Sequence, residues 1–112
     1  MGRGDYLGEF EQVVLLAVAR LDDAAYGMGI RAEIEQRAGR QASIGAVYAT
    51  LERLVSKGYA RETDLPGGKE RSGLARRFYA VTPAGRTALE EARELQARMW
   101  AGLTIKANRR KP

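Results

Sequence analysis

Residues Ser43 to Ala60 read SIGAVYATLERLVSKGYA, and the order of residue types in this stretch decides the fold. Ser43 is a good helix N-cap, because its hydroxyl can accept a backbone N–H that the first helical turn leaves unpaired. Val47, Leu51, Leu54 and Val55 then recur at helical spacing and form the inward face, and Gly58 is placed to end the helix. Ala46, Thr50, Arg53 and Lys57 follow one another at four, three and four residues, a small, hydroxylic and basic stripe expected to face solvent. With small residues near its start, such a helix can approach another surface closely.

Downstream, YARET and RRFYAVT alternate as short strands do and read as an antiparallel hairpin around residues 65 to 75. The stretch between them, PGGKERSGLARRFY from Pro66 to Tyr79, carries Lys69, Arg71, Arg76 and Arg77 against the single acid Glu70. Gly67, Gly68 and Gly73 let this loop follow an anion such as a phosphate backbone. The plainer use of its charges is to keep a hairpin tip from aggregating. Thr82 and Pro83 start a last helix, by side-chain cap and preset backbone angle, that is expected to run to about residue 105. Its apolar stripe is Leu89, Ala92, Leu95, Met99 and Leu103, and the basic tail 106–112 is expected to fray.

Upstream, Phe10, Val13, Val14, Ala17, Val18 and Leu21 share one face of a first helix, which Leu15 and Leu16 widen beyond the need of one packing partner. DDAAYG supplies turn formers with Asp23 as a candidate cap, and Ile30, Ile34 and Ala38 mark a second helix ending near Gly39. Three helices, a two-stranded hairpin and a long helix make a mainly α chain with a small antiparallel β-hairpin. This is the winged helix-turn-helix, whose third helix can enter a major groove and whose loop is the wing. The expected division is a winged unit over 1–82, a dimerisation helix over 83–105 and the tail.

Composition agrees. The 112 residues suit one modest core, and 45% hydrophobic with 29% charged residues is ordinary for a globular chain. The net charge of +5 is uneven: residues 1–42 hold 5 basic and 7 acidic groups, 43–81 hold 7 and 4, and 82–112 hold 7 and 3. The positive second half points to a polyanion. With no cysteine and no histidine, thiolate chemistry and the commonest general base and metal ligand are missing. The adjacent pairs Asp22–Asp23 and Glu90–Glu91 do not share a helix face, so no acid–base pair is visible; no enzyme, metal site or cofactor is expected. VVLLAVA is too short to span a bilayer and no secretory leader is evident, so a cytoplasmic protein without a membrane partner is expected.

The chain resembles the PadR family of bacterial transcriptional regulators over roughly residues 9 to 100. The resemblance rests on Gly27 and Ile30 in the second helix, and on Gly45, Val47, Tyr48, Leu51, Arg53, Leu54 and Gly58 in and after the third. Arg76, Arg77, Phe78, Tyr79, Thr82 and Gly85 extend it through the second wing strand into the last helix. Ala46 and Ala49 stand where the family commonly has Thr and Pro. The resemblance implies a homodimer joined through the first and last helices that binds a palindromic operator and represses. It also implies that Trp100 on the last helix could line a pocket for a flat apolar effector; the plainer role for Trp100 is an interface anchor.

The candidate DNA contacts are therefore Ser43, Gly45, Ala46, Tyr48, Thr50, Arg53 and Lys57 on the third helix and Lys69, Arg71, Arg76 and Arg77 on the wing, with Arg53 best suited to a bidentate contact with guanine. Phe10, Val14, Leu89, Ala92, Leu95, Met99 and Leu103 are the candidate dimer interface. Two other readings fit the same residues: a protein-interaction adaptor on a winged scaffold, and a nucleoid-type protein that binds duplexes without sequence preference.

Overall fold

The computed structural model describes residues 6–63 and 77–105. Helix α1 spans Glu9–Leu21, a short 3-10 turn covers Asp22–Ala24, and α2 spans Gly27–Glu33 and continues as a wide π turn over Ile34–Ala38. Helix α3 spans Ile44–Ser56, strands β1 and β2 span Ala60–Thr63 and Phe78–Val81, and α4 spans Pro83–Trp100. The fold is the expected one, mostly helical with a two-stranded antiparallel sheet and a C-terminal helix.

The strands pair with Ala60 opposite Val81 and Thr63 opposite Phe78. A third segment joins this sheet that the sequence pattern did not show. Tyr26 forms an isolated antiparallel bridge to Phe78, the Tyr79 N–H donates to the Ala25 carbonyl at 2.9 Å, and the Tyr26 and Phe78 rings lie 5.7 Å apart. Two residues are too few to show alternation, so only the tertiary pairing reveals them. The same segment explains why Asp23 is not the α2 cap: it lies within the 3-10 turn, and the N-cap position falls to Tyr26 in extended conformation, whose side chain does not cap the helix.

Val14, Leu15 and Val18 of α1, Ile30 and Ile34 after it, and Val47, Leu51 and Leu54 of α3 make one core closed by Ala60 and Tyr79. Val55, expected on the inward face, is exposed, because the buried stripe of α3 runs through Val47, Thr50, Leu51 and Leu54 and is turned towards Thr50 and away from Val55. Thr82 joins α4 to this body: its hydroxyl accepts the Gly85 N–H at 3.0 Å and donates to the Gly58 carbonyl at 2.6 Å. Gly85 sits directly under the Tyr59 carbonyl, where a Cβ would collide with backbone. Helix α4 is half-buried only as far as Ala92, exposed from Arg93 onward, and ends at Trp100 rather than near residue 105.

Candidate nucleic-acid interface

Helix α3 is capped as expected, with the Ser43 hydroxyl accepting the Ala46 N–H at 3.0 Å. Its exposed positions are Gly45, Ala46, Ala49, Glu52, Arg53, Val55 and Ser56. No atom lies within 4 Å of where a Cβ on Gly45 would stand. The first turns of the helix thus offer a smooth, small surface, as a chain approaching base edges requires.

The outward stripe differs from the expected one by part of a turn. Thr50 is only 2% exposed and faces α1, not solvent, so it is not a surface DNA contact. Spacing alone placed it with Ala46 and Arg53, and its hydroxyl meets Arg53, which bridges to a buried carboxylate on α1. That group, Glu11, is 7% exposed. It accepts the Gly8 N–H at 2.7 Å, which closes the α1 capping box. It also accepts both Lys57 Nζ contacts, at 2.9 and 3.0 Å, and Arg53 Nε at 3.4 Å. Arg53 Nη2 donates to Thr50 Oγ1 at 3.1 Å, and Lys57 Nζ donates also to the Tyr6 carbonyl at 2.9 Å. Burial by itself would raise the Glu11 pKa, but the Gly8 backbone donor, then Lys57 and Arg53, outweigh it and hold the carboxyl below its ordinary value.

Of the remaining candidates on α3, Tyr48 is half-buried and its phenol lies over Gly27, where any Cβ would strike the hydroxyl. The glycine of the YGMGI motif therefore makes room for this ring. On the wing, Lys69, Arg71, Arg76 and the expected loop over 65–75 lie outside the described residues, as does the tail from 106. Arg77 is exposed, 4.0 Å from Glu62 across the hairpin. Its neighbour Tyr79 is buried, and that burial pushes the phenol pKa up, partly offset by Arg77. Arg40, which sequence reading passed over, stacks on Phe10 at 5.1 Å and pairs with Glu9 at 2.8 Å, fastening the α2–α3 connection to α1.

The candidate interface residues divide. Val14 is fully buried within the chain and cannot meet a partner; it belongs to the core because α3 covers its side of α1. Phe10 lies half-buried beneath Arg40, and Leu89 and Ala92 are half-buried. Leu95, Met99, Trp100 and Leu103 are open, with Met99 70% and Trp100 53% exposed. An open groove between the N-terminal segment, α1 and α4 is lined by Tyr6, Leu7, Gln12, Tyr59, Ala92 and Leu95 among others, and Trp100 does not line it. Among the described residues no cluster of three metal-ligating groups occurs and no helix is long and apolar enough to cross a membrane.

The model of the transcriptional regulator PadR-like family matches residues 15–91, well over half of the chain. The chain belongs to this family. No curated protein matches significantly. Among solved structures, the complex structure of hsRosR-S1 is similar with a TM-score of 0.66 and 26% identity, over 87% of this chain and 79% of that one. A PadR-like transcription factor from Bacteroides fragilis superposes with a TM-score of 0.69 at 20% identity, over 80% and 82% of the two chains. A PadR family transcription regulator from Clostridium difficile gives 0.63 at 21% identity, over 82% and 92%. Gly27, Tyr48, Thr82 and Gly85 each sit at a close contact between elements of this chain.

Proposed function

We propose that this PadR-like protein is a dimeric, sequence-specific DNA-binding repressor acting in the cytoplasm, with α3 in the major groove of a palindromic operator and the wing on the flanking backbone. The observation that carries this reading is the exposed face of α3, where Gly45, Ala46 and Ala49 leave a helix start free of bulk and Arg53 stands one turn beyond Ala49. Small residues permit close approach, and an arginine fork matches the acceptor pair of guanine. The basic wing residues Lys69, Arg71, Arg76 and Arg77 supply phosphate attraction in this scheme, which separates affinity from sequence reading.

The dimer is built in this reading from α4, whose open Leu95, Met99 and Leu103 form an apolar row that one chain leaves uncovered. Two-fold symmetry would set two α3 helices about one DNA turn apart. A flat apolar effector held between two copies of α4 near Trp100 would change their angle and release the operator.

Fluorescence anisotropy with the DNA upstream of the protein's own gene and with a scrambled duplex, across a salt series, tests the function. Preference for the upstream duplex with a steep salt slope on both is expected. Equal binding to both favours the nucleoid-type reading, and no binding at low salt favours an adaptor.

A further inference from the structure

We infer that Glu11 and Thr50 are positioning residues for Arg53, holding its guanidinium by one edge so that the other edge is presented, already oriented, to a guanine. This rests on the DNA-binding reading above and assigns a role to two residues buried away from the DNA.

A guanidinium is a rigid planar fork with five N–H donors. Nε and Nη2 share one of its edges, and both are engaged: Nε by Glu11 Oε2 at 3.4 Å and Nη2 by Thr50 Oγ1 at 3.1 Å. Nη1 and the second hydrogen of Nη2 lie on the end of the fork, directed away from both anchors. The anchors are rigid, Glu11 being 7% and Thr50 2% exposed, whereas the Arg53 side chain is 56% exposed. Its fixed edge therefore faces the core and its free edge faces solvent. An arginine oriented before contact gives up less rotamer freedom on binding than a loose one, and it penalises a wrong base more sharply.

Lys57 makes this arrangement possible. Its ammonium straddles both oxygens of Glu11 and also donates to the Tyr6 carbonyl. Glu11 is thereby neutralised and reaches Arg53 through a single oxygen, so the carboxylate steers the fork without enclosing both of its edges. One turn and two turns before Arg53 stand Ala49 and Ala46, which put no side chain between the free edge and a base pair.

The test begins with selection from a pool of randomised duplexes by the wild-type protein, followed by anisotropy titrations of the selected duplex and of versions substituted at each guanine. For the wild type, one guanine per half-site discriminates by roughly five- to hundredfold, the range of a good bidentate contact. Arg53→Lys abolishes that discrimination and leaves the other positions unchanged. Thr50→Val, nearly isosteric, and Glu11→Gln lose it at the same guanine, Thr50→Ser keeps it, and Thr50→Val adds nothing on top of Arg53→Lys. The inference is overturned if Arg53→Lys alters no base preference, or if folded Thr50→Val keeps the wild-type preference. A wild-type protein that selects no sequence and prefers no duplex sinks the DNA-binding reading itself, a result distinct from selective wild-type binding that the variants leave untouched.

Discussion

Thr82 and Gly85 show how much a single position can carry. The Thr82 hydroxyl is donor and acceptor at once, tying the end of α3 to the start of α4, and Gly85 admits the Tyr59 carbonyl to the space a side chain would fill. Gly85→Ala forces backbone apart and is expected to destabilise the fold by about 1–3 kcal/mol, the usual cost of overpacking, read from urea denaturation. Glu11 gives a pH signature. Its folded pKa lies below the ordinary value of 4.5, so folding binds fewer protons there and the stabilisation is fully present above that value. It is lost as the pH falls through the lower folded value. Thermal melts from about pH 5 to about pH 3 should show a steeper decline in the wild type than in Glu11→Gln. Neither effect was legible in the sequence, where Glu11 is one acid in a first turn and Gly85 one glycine after a proline.

At the scale of elements, α3 was readable in its ends and its core and not in its outer stripe. Ser43 and Gly58 bound it as their chemistry predicts, and Val47, Leu51 and Leu54 lie in the core. Ser43→Ala should cost about 1 kcal/mol, since the Ala46 N–H loses its acceptor, and the loss is measurable as a lowered denaturant midpoint with unchanged slope. Thr50 escaped the reading because a helical wheel gives angles, not neighbours. Threonine suits a solvated or a buried position equally, and only the approach of α1 with Glu11 makes its position an interior one. Helix α2 was similarly opaque at its start, where the bridge between Tyr26 and Phe78 replaces a side-chain cap.

For the whole molecule, the consequence is a body held by one core and a helix that leaves it. If α4 is the dimer seam, Leu95→Glu together with Met99→Glu should shift sedimentation velocity from dimer to monomer while the circular dichroism of the winged body is retained. Both side chains are exposed within the chain, and their replacement exposes no core. A dimer that persists would place the seam elsewhere. The element order and the winged helix-turn-helix class followed from the sequence by itself, because capping, periodicity and turn chemistry are local and need only neighbours along the chain, and the PadR likeness rested on matching motifs in their order. The tertiary structure alone decided which face of α3 is open, that Val14 is core, that the wing sheet gains a third segment, and that two cations of α3 share one carboxylate. Those outcomes depend on residues distant in sequence coming together, as Tyr26 meets Phe78 and as Glu11 meets Arg53 and Lys57, 42 and 46 positions away, and burial is a property of the partner's surface as much as of the residue's own.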